Sequence, residues 1–177
     1  MQKIGLLIFN FSIYYFGVIF TYLSILVLIN AYNMIDGIDG LLGCQSIVTL
    51  SSLIVLFYVN ESTSVSYPIM LCVAILPYLL SNLGVLSGKI KKVYMGDAGS
   101  MFIGLSILWM LSKGTQGEGA IFNPVTALWI TAIPLMDMLA IILRRLQEGH
   151  SPFKPDRKHL HHICLKLGLT SSQTLMV

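Results

Sequence analysis

From Ile4 to Ile29 the chain carries no acidic, basic or histidine side chain. A membrane-spanning helix needs about 20 consecutive, mostly apolar residues, and this run is long enough with only Asn10, Ser12, Thr21 and Ser24 as small polar interruptions. It is too long for a signal peptide and lacks the small-residue cleavage pattern. Further apolar runs cover 45–59, 68–86, a short stretch at 100–111, and 125–143. Charged residues make up only 11% of the chain, against roughly 25% in a soluble domain. The expected fold is therefore all-α: one polytopic membrane helical bundle over 1–177, with about five transmembrane helices, spanning at 4–29, 45–59, 68–86, 100–111 and 125–143. Cys44, Cys72 and Cys164 show no CxxC spacing and fall in or beside apolar segments, so they read as small buried hydrophobes.

Connecting segments then alternate across the bilayer. Lys89, Lys91, Lys92, Arg144, Arg145, Lys154, Arg157, Lys158 and Lys166 fall on one side, and only Lys3 and Lys113 on the other. The positive-inside rule assigns the first side, with loops 30–44, 87–99 and 144–177, to the cytoplasm. The net charge of +3 reflects this topology, and no nucleic-acid partner is expected. The polar motifs "NMIDGIDG", "KVYMGDAGS" and "SPFKPDRKHLHH" all lie in those three loops, which points to one composite site on the cytoplasmic face.

Asp36 and Asp39 are three apart and share a face if a helix continues through them. Asn30 and Asn33 extend the same spacing one turn earlier, and Gly37 and Gly40 leave room for a ligand beside each carboxylate. Helix capping or Asx-turn formation is the alternative use of such residues. In "YMGDAGS", Asp97 stands between Gly96 and Gly99 at the start of an apolar run. A carboxylate there suits Mg²⁺ bound to phosphate, since Mg²⁺ takes one or two carboxylates together with waters and phosphate oxygens; a simple helix cap is again the alternative. His159, His161 and His162 follow Arg157 and Lys158. Histidine clusters often bind metal, but the adjacent cations fit a polyphosphate anion better, and a solvated basic loop is the plainer reading. Asp137 is the one acid inside an apolar run and so a functional candidate, or else an ion-pair partner of Arg144 two turns on. Together these parts describe a pocket for a magnesium-bound diphosphate with access to lipid.

The motifs "NAYNMIDGIDGLLG", "KVYMGDAGS", "PLMDM" and "SPFKPDRKHLHH" resemble, in order and across nearly the whole chain, the polyprenyl-phosphate N-acetylhexosamine-1-phosphate transferase family. The last motif is closer to the branch that primes O-antigen and enterobacterial common antigen than to the peptidoglycan branch, whose loop ends in three consecutive histidines. The resemblance implies transfer of N-acetylglucosamine 1-phosphate from UDP-N-acetylglucosamine to undecaprenyl phosphate, with release of UMP, at the bacterial inner membrane and with Mg²⁺ or Mn²⁺. It implies catalytic roles for Asp36, Asp39, Asp97 and His159, with Asp97 also the metal ligand. Substrate contacts would come from Asn30, Asn33, Asn82 and Tyr94, the last two at the uracil base, and from Arg145, His161 and His162 at the diphosphate. The family's paired-aspartate motif DDxxD is absent, because no two aspartates are adjacent here. The chain is expected to correspond to the middle and later part of a family member and not to turn over alone. The competing expectation is a non-catalytic membrane protein that binds nucleotide-sugar or associates with a full-length relative or a second copy of itself. An ion transporter fits poorly, because the charges sit in loops rather than along a pathway.

Overall fold

The computed structural model describes residues 2–85, 91–117, 119–149, 151 and 160–176, without the side chains of 2–15 and of His162. The helices are α1 (Gln2–Ile35), α2 (Leu41–Val59), α3 (Ser66–Asn82), α4 (Gly96–Thr115), α5 (Pro124–Ile130), α6 (Ala132–Gln147), α7 (Leu160–Lys166) and α8 (Ser171–Met176), with a 3-10 turn at Thr63–Val65 before α3. No strand occurs among the described residues. Three helical stretches are long and apolar enough to cross a membrane: Phe16–Ile35, Leu41–Val59 and Thr63–Asn82. The chain is an all-α polytopic membrane protein.

In lipid there is little hydrophobic force between helices, so close van der Waals packing and small interfacial residues hold them together. The α1–α4 contact shows this. A Cβ added at Gly104 would stand 3.0 Å from the Cα of Ile29 and 3.2 Å from the carbonyl oxygen of Leu28. Only glycine lets α4 lie that close to the α1 backbone. Around this contact Leu28, Tyr32, Leu53, Phe57, Ile103 and Ile107 form the buried core, and the Tyr32 hydroxyl bonds Thr49 Oγ1 at 2.8 Å inside it. Phe16, Phe20, Val55, Val73 and Phe102 point outward and are exposed, as a lipid-facing surface requires. At the end of the bundle where α3 begins and α4 finishes, Tyr67 and Trp109 meet edge to face with ring centroids 4.9 Å apart.

Two expected spans come out differently. The run at 125–143 is two helices, α5 and α6, bent by 77° at Thr131. Proline has no N–H and its ring crowds the carbonyl four residues back, so it is tolerated in a first turn and not in a helix interior. Ending α5 at Ile130 and restarting at Ala132 puts the buried Pro134 in the first turn of α6. Thr131 closes the break by donating from Oγ1 to the Ala127 carbonyl at 2.9 Å. The short run at 100–111 lies within α4, whose glycines, serines, Asp97 and Lys113 dilute its apolar character; α4 is not among the helices apolar enough to cross. Against the about five spans expected, three helices among the described residues are long and apolar enough to cross by length and composition, or four if the bent pair is one span.

Candidate active site

The chain leaves α1 at Ile35 and turns through 36–40 before α2 starts at Leu41. Gly37 N–H bonds back to the Ile35 carbonyl at 2.8 Å, and Gly40 takes φ +83°, a left-handed conformation that other residues adopt only under strain. Helix α1 therefore does not continue through the two aspartates, and the single stripe of amides and carboxylates is broken. Asn30 and Asn33 stay on α1 while Asp36 and Asp39 sit in the turn. Asn30 is exposed and its amide bonds its own helix, donating to the Leu26 carbonyl at 2.7 Å. Asn33 faces α4, where its Oδ1 accepts the Ser100 hydroxyl at 2.6 Å.

The segment after α3 folds back over this turn. Asp39 pairs with Lys92. The carboxyl of Asp36 is held above the usual carboxylate range, first by loss of hydration and then by the negative charges of Asp97 and Asp39. Asp39 in the same turn and Asp97 in the first turn of α4 are thus both near enough to act on Asp36. Asn82 joins the loops: it is 3% exposed, its Oδ1 accepts the Gly40 N–H at 2.5 Å, and its Nδ2 donates to the Val93 carbonyl at 2.9 Å. Ser81 adds a bond from Oγ to the Lys91 carbonyl at 3.1 Å. The resemblance assigned Asn82 to a nucleobase, but here both ends of its amide are engaged with backbone. Tyr94, 70% exposed, presents its ring to solvent on the same loop.

The third component arrives from α6 and α7. Arg145 is buried on the inner face of α6 with Asp137, Met138 and Ile141, a face that packs toward α1. His161 on α7 is 3% exposed and its ring lies directly on Gly37, where an added Cβ would collide with it. His159 lies outside the described residues, as does the side chain of His162. The structure therefore gathers Asp36, Asp39, Asp97, Asn82, Lys92 and His161 at one end of the bundle and leaves Asn30 aside. Lys92 was not singled out from the sequence, where it is one of several loop cations and no spacing marks it.

Asp137, on the inner face of α6, reaches α7. Its Oδ1 accepts the backbone N–H of Leu160 at 2.8 Å, and the next residue, His161, touches the α1–α2 turn.

Among the described residues no three His, Cys, Asp or Glu groups lie close enough to hold a metal ion by themselves. Crowded carboxylates without a full cage fit a Mg²⁺ ion that brings phosphate oxygens and water as its remaining ligands. The mutual repulsion at Asp36 is the observation that a cation there would relieve.

Residues 1–115 match the family described as glycosyl transferase family 4. A Yersinia pestis protein named undecaprenyl-phosphate alpha-N-acetylglucosaminyl 1-phosphate transferase is 49% identical over 163 residues, covering 92% of this chain and 44% of the relative. The protein of that name from Escherichia coli K12 is 48% identical over the same shares. The Haemophilus influenzae protein of that name is 50% identical over 137 residues, 77% of this chain and 39% of the relative. The chain thus spans less than half the length of these curated relatives, and no solved structure matches it. Apolar helices, a turn with two aspartates, and a matching profile over 115 residues converge on one conclusion: the chain belongs to glycosyl transferase family 4.

Proposed function

We propose that the chain carries the donor-nucleotide and metal part of an enzyme that transfers N-acetylglucosamine 1-phosphate from UDP-N-acetylglucosamine to undecaprenyl phosphate and releases UMP. The site would face the cytoplasm across the bacterial inner membrane, and the product would prime O-antigen or enterobacterial common antigen. The observation that carries this reading is the seating of the buried His161 ring on Gly37, in the turn that holds Asp36 and Asp39, on a membrane bundle. The names of the relatives point to undecaprenyl phosphate as the acceptor and N-acetylglucosamine 1-phosphate as the group transferred.

Phosphoryl transfer asks little covalent chemistry of the protein; catalysis is mostly positioning and charge stabilisation. Mg²⁺ or Mn²⁺, when bound, would neutralise charge on the diphosphate, with Asp97 and Asp36 as its carboxylate ligands. Tyr94, open on its loop, is placed to stack on a base. His161 and Arg145 supply positive or hydrogen-bonding character on the phosphate side. Asp39, already paired with Lys92, orients that lysine toward the same anion.

Equilibrium binding of UDP-N-acetylglucosamine to the purified chain, with and without Mg²⁺, tests the reading. Mg²⁺-dependent binding that falls at least ~tenfold in Asp97→Asn, a loss of about 1.4 kcal/mol, is expected. No binding, while the full-length Escherichia coli relative binds under the same conditions, would overturn it. A second reading is nucleotide-sugar binding without turnover, and the absence of any adjacent aspartate pair in the chain favours it. Lipid-dependent UMP release from this chain would rule that second reading out.

A further inference from the structure

We infer that Asp137 is a positioning residue, which fastens the start of α7 to α6 so that His161 seats on Gly37 in the α1–α2 turn. This rests on the reading above, in which His161 faces the phosphate groups of the donor.

A buried charge without compensating hydrogen bonds loses its hydration at a cost, so an acid on the inner face of α6, a face that also carries Arg145, is held by the partners it finds there. Asp137 is 9% exposed, among Met138 and Ile141. One such partner is the backbone N–H of Leu160, which its Oδ1 accepts at 2.8 Å. Helix α7 covers only Leu160–Lys166, far below the ~12 residues an isolated helix needs to persist. Contacts outside the helix must therefore set its place.

Two neighbouring residues provide them in different directions. Leu160 is held through its N–H to α6; His161 is held through its ring against Gly37. Helix α7 thus bridges α6 and the aspartate turn, and Gly37 is the surface on which the ring rests. Gly37 is exposed and its φ lies outside the left-handed region, so the backbone would accept alanine. The three atoms nearest to an alanine methyl there all belong to the His161 ring.

The test uses the full 177-residue chain in lipid nanodiscs, with three variants: Asp137→Leu, Asp137→Asn and Gly37→Ala. Leucine keeps the branching at Cγ and removes the acceptor; asparagine keeps an acceptor oxygen and the size of the side chain. The first readout is hydrogen exchange at the Leu160 amide, expected to speed up about tenfold or more in Asp137→Leu and to stay within about threefold of the parent in Asp137→Asn. The second is UDP-N-acetylglucosamine affinity, expected to fall about tenfold in Asp137→Leu and in Gly37→Ala. The double variant should be no weaker than the weaker single, because both act through the seating of one ring. Unchanged exchange in Asp137→Leu, an asparagine variant as impaired as the leucine one, or losses that multiply in the double would overturn the proposal. If the parent chain binds no UDP-sugar, the functional reading fails, and the exchange data alone still decide on the clamp. If Asp137→Leu does not fold, Gly37→Ala decides: faster exchange at Leu160 with melting unchanged supports the bridge, and unaltered exchange overturns it.

Discussion

The side-chain oxygen of Asn82 accepts the backbone N–H of Gly40 at 2.5 Å, across the gap between the end of α3 and the start of α2. The other end of the amide holds Val93 at 2.9 Å, so one side chain fixes the spacing of two site loops. Asn82→Ala leaves the buried Gly40 N–H without its partner, at ~1–3 kcal/mol, and releases the carbonyl of the exposed Val93 to water. A clear drop in melting temperature is expected, larger than in Asn82→Asp, which keeps the acceptor for Gly40 and loses only the donor to Val93. Melting followed by circular dichroism separates the two. Equal midpoints for both variants would mean that the Gly40 bond carries none of the stability.

Gly104 makes a second, independent prediction at the α1–α4 contact. The atoms an added Cβ would meet are backbone, the Ile29 Cα at 3.0 Å and the Leu28 oxygen at 3.2 Å, and backbone cannot rotate away as a side chain can. Gly104→Ala is expected to destabilise by ~1–3 kcal/mol, the usual range for overpacking, although alanine is the better helix former. Gly17, also in α1 and with nothing within 4 Å of its virtual Cβ, is the control: Gly17→Ala should be neutral or stabilising by up to ~1 kcal/mol. Matching responses at the two glycines would exclude close packing as the cause.

The carboxyl of Asp36 is raised by loss of hydration and by Asp97 and Asp39, and the sign of its effect on stability follows. A native carboxyl raised above its unfolded value binds its proton more tightly in the fold. That contribution to stability is present below the unfolded value, near pH 4, and is lost as pH rises through the raised native value. Asp36→Asn removes the penalty, so at neutral pH the variant should melt higher than the parent, and the two should converge toward pH 4. Mg²⁺ should raise the parent's melting temperature more than the variant's, because it relieves the same repulsion. A variant that melts lower at neutral pH would show that the Asp36 charge is stabilising instead.

Much of this arrangement could be read from residues, and the remainder could not for physical reasons. The run Ile4–Ile29 announces its helix because periodicity is irrelevant when every face is apolar, but where α1 ends depends on Gly37 and Gly40, whose turn also undid the expected shared face of Asp36 and Asp39. The gathering of three loops at one end was legible from charge asymmetry alone. The partners within it were not: Lys92 with Asp39 is a pairing across 53 positions, and Asn82 with Gly40 one across 42, and such closures follow from helix packing that no local pattern encodes. The bend at Thr131 was hidden as well, even though Pro134 was in view to suggest it.

That bend yields the last prediction. A proline in a helix interior costs about 3 kcal/mol relative to alanine, which is what the break at Thr131 avoids by putting Pro134 in a first turn. Pro134→Ala restores an N–H that can bond the Ile130 carbonyl, so α5 and α6 should straighten from the 77° of the parent. Spin labels at the exposed positions Val125 and Leu139, in a chain whose three cysteines have been replaced, report the change as a longer interlabel distance by pulsed electron resonance. Straightening would also draw Asp137 away from Leu160 and so speed exchange at the Leu160 amide. An unchanged distance would mean that contacts with α1, rather than the proline, hold the angle; the Leu160 amide would then keep its protection without help from Pro134.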